Sequence, residues 1–264
     1  MRQSAERWAA QPTGNRAWHE QNTAGWVRWL RAGGQLGEWA DNTIPDVEFA
    51  TQILRLGEGA HILNLGCGWG RHAIALAHYG VNVIGLDASA DLLELARETS
   101  EQMEVAVKWV HGDLTDLILT GPLDAVIQFR GNLLEWADGP PDALHLLDQV
   151  HAVLKPGGRF LFGTPDWEAS LPRQERSQSE TPESTELCQH YFEPDSRVIR
   201  SHTVILGRDG SRREYWRRSW YPTAEQMAAL LFQAGFGIEG QLNGFGFLPY
   251  DSNRPGLVWL ARKD

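Results

Sequence analysis

Three glycines at alternate positions stand between a short apolar run and the start of a helical pattern. Residues 61–65 are a run of mostly apolar residues, Gly66, Gly68 and Gly70 follow, and the helical pattern begins at Arg71. Glycines let the chain turn tightly and let a ligand approach main-chain atoms, and amides at a helix start favour an anionic or polar group. A second apolar run ends at Asp87, and a carboxylate there can accept both hydroxyls of a ribose. The pattern predicts binding of an adenosine-type ligand rather than a mere tight turn.

The spacing of the glycines indicates which ligand this is. The dinucleotide fingerprint G-x-G-x-x-G would place its third glycine at position 71, which is arginine. The spacing here instead resembles the first motif of class I S-adenosylmethionine-dependent methyltransferases of the small-molecule type. Further segments resemble the later motifs of that family in the same order: residues 83–89, 110–114, 123–129, 154–162 and 234–236.

The resemblance implies a set of residues that bind S-adenosylmethionine and its product S-adenosylhomocysteine. Asp87 would bind the ribose hydroxyls and Asp113 the adenine amino group. Many family members have an acid where this chain has Asn64, so the ammonium of the ligand would meet an uncharged acceptor. The full predicted set is Asn64, Gly66, Gly68, Gly70, Asp87, Ala88, Asp113, Leu114 and Gln128.

The fold predicted from the pattern is α/β. Apolar runs alternate with helical patterns from residue 61 to about residue 163, which is typical of a parallel sheet covered on both faces. We expect a Rossmann-like, mostly parallel seven-stranded sheet, with N-terminal helices and an inserted β-hairpin lid. We predict a single domain, 1–264. Within it we distinguish an N-terminal helical lid segment (1–44), a cofactor-binding core (45–163), a loop and hairpin insertion (164–222) and a final helix and strands (223–264).

The insertion is predicted in two parts. Residues 164–186 are polar and contain several prolines, which is typical of an exposed loop. Two extended segments follow, residues 197–206 and 212–220, and Asp209-Gly210 between them is a hairpin signal. The hairpin carries many arginines, which would bind an acidic acceptor or even nucleic acid. We favour the alternative that they form the charged surface of a solvated ribbon and protect its edge.

The acceptor site is less well specified than the cofactor site. A sulfonium already carries an activated methyl group, so methyl transfer is an in-line displacement that needs alignment, and a base only where the nucleophile carries a proton. Arg130 could clamp a carboxylate or form an ordinary ion pair, and Asn132 could contact an acceptor or tie down its loop. The substrate-binding candidates are Arg130, Asn132, Trp26, Tyr215 and Tyr250, and the candidate bases are His190, Tyr191 and His19.

Composition narrows the function classes. The 264-residue chain has a formal net charge of −10, which disfavours general binding to nucleic acid. Its two cysteines fit a reducing compartment, so we expect a cytoplasmic protein. We also expect that the protein uses no metal ion and does not associate with a membrane. The favoured interpretation is an enzyme that transfers a methyl group from S-adenosylmethionine to a small-molecule N or O acceptor. A methyltransferase of RNA or protein and a non-catalytic S-adenosylmethionine-binding protein remain as alternatives, and the oligomeric state is open.

Overall fold

The computed structural model describes most of the chain from residue 42 onward. The described residues are 42–114, 116–119, 121–129, 133–134, 137, 139–164, 174–180, 184–249 and 257–264, together with Thr23, Val27, Leu30 and Arg31. Five helices of this part are α1 (Thr43–Leu54), α2 (Arg71–His78), α3 (Ala90–Gln102), α4 (Pro140–Val153) and α5 (Ala224–Gln233).

A seven-stranded sheet forms the centre of the molecule, as the sequence predicted. Its strand order is β10-β11-β5-β4-β1-β2-β3. The bounds are β1 (His61–Leu65), β2 (Asn82–Asp87), β3 (Val107–His111), β4 (Leu123–Gln128), β5 (Leu154–Thr164), β10 (Phe236–Asn243) and β11 (Leu257–Lys263). Strands β1 to β5 are parallel, and β11 runs antiparallel between β5 and β10.

Apolar side chains on both faces explain why these segments form a buried parallel sheet. Leu63 and Leu65 of β1 belong to a core cluster that also contains residues of α4 and α5. Ile62 of the same strand belongs to a second cluster, which contains residues of α1 and α2. Because neighbouring side chains of a strand point to opposite faces, β1 is buried on both sides. The order of strands reverses between β1 and β4, and ligands of such sheets bind at the carboxyl ends beside this reversal.

The ends of the helices follow ordinary capping chemistry. Ser89 is the N-cap of α3, and its hydroxyl accepts a hydrogen bond from the Leu92 amide. Thr223 and Gln226 form a capping box at the start of α5, which fixes where that helix begins. The N-cap at Ser89 matters for the site, because it positions the chain directly after Asp87.

The inserted segment differs from the prediction. It forms a four-stranded antiparallel sheet in the order β6-β7-β8-β9, with bounds β6 (Gln174–Glu180), β7 (Ser184–Glu193), β8 (Val198–Gly207) and β9 (Arg212–Trp220). The predicted hairpin corresponds to β8 and β9, but the prediction of a loop over 164–186 was wrong for residues 174–180 and 184–186. The residues of β6 are polar, so the sequence shows no alternation of apolar and polar residues that would predict a strand. The strand pairs with β7 through backbone hydrogen bonds.

Before residue 42, four residues of the predicted N-terminal lid segment are described, and all four are helical. Val27 is buried, the Ser89 hydroxyl donates a hydrogen bond to the Thr23 hydroxyl at 2.6 Å, and Arg31 pairs with Glu98 at 2.7 Å. Thr23 and Arg31 therefore lie against the N-cap residue and the body of α3. The other residues of 1–41 are outside the described part. No helix within the described residues is long and apolar enough to cross a membrane.

Candidate S-adenosylmethionine site

The glycine loop lies at the carboxyl end of β1 and bends through three positive φ angles. Gly66, Gly68 and Gly70 have φ of 60°, 56° and 83°, a region that side chains with a Cβ rarely occupy. The amide of Cys67 donates to the Leu86 carbonyl at 3.0 Å, which fastens the loop to the end of β2. Gly70 is the N-cap of α2, so the loop leads directly into a helix start.

Asp87 ends β2 and holds the loop through its carboxylate. Its Oδ2 accepts the Gly68 amide at 2.7 Å, and its Oδ1 accepts the Ser89 amide at 2.9 Å. Each oxygen keeps a further lone pair for a ligand hydroxyl. Burial raises the pKa of Asp87, and the two amide hydrogen bonds together with the charge of His111 oppose that rise.

The space in front of the loop is open where a ligand must approach. A Cβ built on Gly66 or Gly68 would meet no heavy atom within 4 Å. A Cβ on Gly70 would lie 2.4 Å from the ring of Trp109 and 2.9 Å from the side chain of Ala96. The first two glycines therefore keep main chain accessible, whereas the third is required by packing behind the loop.

Asn64 offers a buried acceptor beside the loop. It is 2% exposed, and its Nδ2 donates a long hydrogen bond of 3.4 Å to the Ile127 carbonyl. Its Oδ1 has no hydrogen-bond partner among the described residues, although buried polar atoms are almost always paired. An acceptor oriented at the end of β1 fits a ligand that brings its own donor, such as an ammonium group.

The remaining predicted cofactor residues lie at the same edge of the sheet. Ala88 follows β2, and its carbonyl lies 3.0 Å from Nε2 of His111 at the end of β3. Asp113 and Leu114 come directly after β3, with Leu114 buried. Gln128 ends β4, and its Oε1 accepts the Gly163 amide at 3.3 Å, which ties β4 to β5. The fold thus brings all nine predicted positions to the carboxyl edge.

The structure describes only some of the residues predicted to bind the acceptor or to act as a base. His19, Trp26, Arg130, Asn132 and Tyr250 lie outside the described residues.

His190, Tyr191 and Tyr215 belong to the second sheet. His190 Nδ1 lies 2.7 Å from the Ser201 hydroxyl, and its Nε2 lies 3.3 Å from the sulfur of Cys188. Because successive residues of a strand face opposite sides, Tyr191 points away from His190, and it is 40% exposed. Strand register puts the buried Tyr215 on the face of Cys188 and His190, so the structure brings Tyr215 and His190, but not Tyr191, to one face.

A buried Asp46–His72 pair beside the loop was missed from the sequence. His72 of α2 lies with its Nε2 3.0 Å from Asp46 of α1, and both side chains are buried. The His72 ring stacks on Phe129, with ring centres 4.2 Å apart and planes 11° apart, and the ring centre of Phe245 lies 5.4 Å from that of Phe129. This group joins α1 and α2 to the residue that follows β4. Asp46 and His72 are 26 positions apart, so no local pattern in the sequence linked them.

Comparison with known proteins agrees with this geometry. Residues 62–158 match the family model described as a methyltransferase domain. The matched residues include most of β1, the whole of β2 to β4, the glycine loop and Asp87, and therefore every residue predicted to bind S-adenosylmethionine.

Curated relatives share this domain over part of their length. A ubiquinone biosynthesis O-methyltransferase of Coxiella burnetii is 30% identical over 107 residues, which are 40% of this chain and 44% of that protein. One of Alkalilimnicola ehrlichii is 31% identical over 139 residues, 52% of this chain and 54% of that protein. The matches thus span about half the length of these relatives.

Solved structures extend the likeness of the methyltransferase fold beyond the domain. The CcbJ methyltransferase of Streptomyces caelestis has a TM-score of 0.70 at 22% identity, over 83% of this chain and 90% of that one. An S-adenosylmethionine-dependent methyltransferase of Clostridium acetobutylicum has a TM-score of 0.71 at 16% identity, over 90% and 96%. At these identities the likeness shows the fold. Within the described residues, no group of three or more His, Cys, Asp or Glu side chains could hold a metal ion.

Proposed function

We propose that this protein transfers a methyl group from S-adenosylmethionine to an N or O atom of a small molecule. The observation that carries the proposal is the hydrogen bond between the Gly68 amide and the Asp87 carboxylate, at the carboxyl edge of the methyltransferase domain. It supports a site in which loop and acid are fixed before the ligand arrives. When bound, S-adenosylmethionine supplies a methyl group that its sulfonium has already activated.

The residues around the loop would hold the cofactor by complementary groups. Asp87 accepts the two ribose hydroxyls with its remaining lone pairs, and Asp113 accepts the adenine amino group beside Leu114. Gly66 and Gly68 let the ligand lie against main chain, because nothing within 4 Å faces them. The unpaired Oδ1 of Asn64 accepts from the ammonium end. Ala88 and Gln128 complete the walls, at the ends of β2 and β4.

The acceptor is proposed to lie beyond the end of β4. Arg130 and Asn132 follow Phe129 in the sequence, shortly after the carboxyl end of β4, where ligands of such sheets bind, and this supports the proposal. Arg130, Asn132, Trp26, Tyr215 and Tyr250 stay our candidates for contact with the acceptor. The names of relatives favour a small molecule, because they include a ubiquinone biosynthesis O-methyltransferase and the sugar N-methyltransferase KedS8.

Positioning rather than proton transfer is proposed as the main source of catalysis. His190 has a hydrogen-bond partner at each ring nitrogen within the second sheet, which a structural role already explains. Tyr191 faces the other side of that sheet. Both of them, and His19, stay candidates for a base only if the acceptor atom is protonated when it attacks. Alignment at near-attack distance can supply much of the acceleration for an already activated donor.

The experiment is a transfer assay with S-adenosylmethionine labelled in its methyl group. Small amines, amino sugars, phenols, bulk RNA and a mixture of unfolded proteins are offered in parallel, with an Asp87→Ala variant as the control. We expect label in one class of small molecule, lost in the variant. Label in RNA or protein instead would overturn the acceptor class. Tight cofactor binding without transfer to any member of the panel would favour the non-catalytic alternative.

A further inference from the structure

Behind the glycine loop, a slot lined by small residues holds one large ring. A Cβ on Gly70 would lie 2.4 Å from Cη2 of Trp109, and a Cβ on Gly85 would lie 2.5 Å from its Cζ3. Ala96 of α3 lies close to the same place, 2.9 Å from the Cβ position of Gly70. Contacts under 3.0 Å do not occur with real Cβ atoms, so glycine at positions 70 and 85 is required by the Trp109 ring.

Three elements of the cofactor site meet at this ring. Gly70 ends the glycine loop and begins α2, Gly85 lies in β2 two residues before Asp87, and Ala96 lies in α3, which begins after Ser89. Trp109 itself lies in β3, paired with Gly85 in the sheet register. The rigid ring packs against Gly70 and Gly85 and is hydrogen-bonded to Ser100 of α3, so it fixes the separations of the three elements.

The orientation of the ring is set by a hydrogen bond on its far edge. Nε1 of Trp109 donates to the Ser100 hydroxyl at 3.2 Å, and that hydroxyl donates to the Arg97 carbonyl at 2.9 Å. Ser100 is buried, whereas Trp109 is half-buried and lines an open cleft between α3 and the starts of β2 and β3. The indole therefore separates that cleft from the glycine loop.

We propose that Trp109 is a positioning residue for the cofactor: its indole, anchored on Ser100, holds the Gly66–Gly70 loop at the separation from Asp87 that ligand binding needs. It acts through Gly70 and Gly85 and touches no ligand itself. The proposal rests on the proposed function, because the ligand held by the loop is S-adenosylmethionine.

Removing the ring should loosen the loop more than it harms the rest of the fold. Misplacing a binding group by about 1 Å can cost on the order of a hundredfold in function, so even part of that shift is measurable. We expect Trp109→Ala to raise the Kd for S-adenosylhomocysteine about tenfold or more. Trp109→Phe keeps a ring in the slot and should restore most of the affinity. Ser100→Ala removes only the anchor and should raise the Kd by a smaller factor.

The test is calorimetric titration of the full chain with S-adenosylhomocysteine at a temperature well below each melting midpoint. Phe236→Leu is the control, because Phe236 is buried in β10, the edge strand at the opposite end of the sheet order, and its loss lowers stability without touching the loop. The control should melt earlier and keep the wild-type Kd. The proposal is overturned if the Trp109 variants also melt earlier but keep that Kd. Absence of binding to the wild type would instead refute the proposed function.

A double variant tests the contact itself. Gly85→Ala should weaken binding alone, since its Cβ would meet the ring, whereas in the Trp109→Leu background the same change should add little. This non-additivity is expected only if the ring and position 85 act as one unit. Fully additive effects of the two substitutions on the binding free energy would contradict the assignment. If Trp109→Ala does not fold, the milder Ser100→Ala variant still allows the titration to be made.

Discussion

The carboxylate of Asp87 accepts the main-chain amide of Gly68 at 2.7 Å, so the acid at the end of β2 and the glycine loop after β1 form one unit. The same carboxylate accepts the amide of Ser89 through its other oxygen. A residue that a resemblance assigns to the ribose therefore also holds the shape of the loop. Changes at Asp87 should consequently affect ligand binding through both roles.

Asp87→Asn should weaken binding strongly. An amide at this position can offer an acceptor to only one of the two backbone N–H groups, and it loses the charge that strengthens hydrogen bonds to ribose hydroxyls. Hydrogen bonds to charged groups contribute about 1.5–3 kcal/mol, which corresponds to roughly a tenfold to hundredfold rise in the Kd for S-adenosylhomocysteine. Calorimetry provides the measurement. The same substitution at the exposed Asp148 of α4 is the control. An unchanged Kd in Asp87→Asn would show that Asp87 does not belong to the ligand site.

The raised pKa of Asp87 predicts two opposite trends with pH. Because burial raises the folded-state pKa above the ordinary 3.8, the native state binds a proton more readily than the unfolded chain. The contribution of Asp87 to stability is then fully present below the unfolded pKa and is lost as pH rises through the folded pKa. The melting advantage of wild type over Asp87→Asn should shrink over that window, while its advantage in binding S-adenosylhomocysteine should grow because the carboxylate forms.

Melting curves and titrations of both proteins across the acidic range would measure these trends. If both advantages changed in the same direction, the ionised carboxylate would not be the form that binds the ligand.

Gly68→Ala and Gly70→Ala should differ in kind. Forcing alanine into the left-handed region costs about 1–2 kcal/mol at either position. Only at Gly70 must the added Cβ also displace the Trp109 ring, for a further cost of about 1–3 kcal/mol. Gly210→Ala is a matched control, since Gly210 has the same φ of 83° as Gly70 and open space around it.

The melting midpoint of Gly70→Ala should therefore be well below that of Gly210→Ala, and the midpoint of Gly68→Ala should be close to that of Gly210→Ala. Affinity should separate the variants differently, because the Cβ at position 68 would enter the ligand's space and raise the Kd for S-adenosylhomocysteine. Equal melting midpoints for the variants at positions 70 and 210 would show that Trp109 does not press on the loop.

Asn64→Leu should separate stability from function. Burying an unpaired polar atom costs about 1–3 kcal/mol, so an apolar side chain of similar size should leave stability equal or higher. The Kd for S-adenosylhomocysteine should rise, because the acceptor for its ammonium is gone. Asn82→Leu at the exposed start of β2 is the control for the titration. A variant that melts earlier and binds normally would show that Asn64 serves the fold alone.

The sequence predicted the central sheet because its strands are buried on both faces and leave near-continuous apolar runs such as residues 123–127. It also predicted cofactor positions that lie at or shortly after strand ends, since the apolar runs mark where those strands stop. Strand β6 was not predicted, because its side chains are polar and show no alternation of apolar and polar residues. The pairs Asp46–His72 and Gly70–Trp109 escaped for another reason: they join residues 26 and 39 positions apart, and their contacts depend on how helices pack on the sheet.

The central claim, that the glycine loop and Asp87 bind S-adenosylmethionine, is tested most directly by thermal melts with S-adenosylhomocysteine, with NAD⁺ and without ligand. A ligand at about 100 times its Kd adds about 2.7 kcal/mol to native-state stability. For a chain of this size, that corresponds to a rise in Tm of about 5–10 °C, at about 2–4 °C per kcal/mol. We predict this rise with S-adenosylhomocysteine alone, and its absence in Asp87→Ala. A rise with NAD⁺ alone, or with neither ligand, would contradict the account.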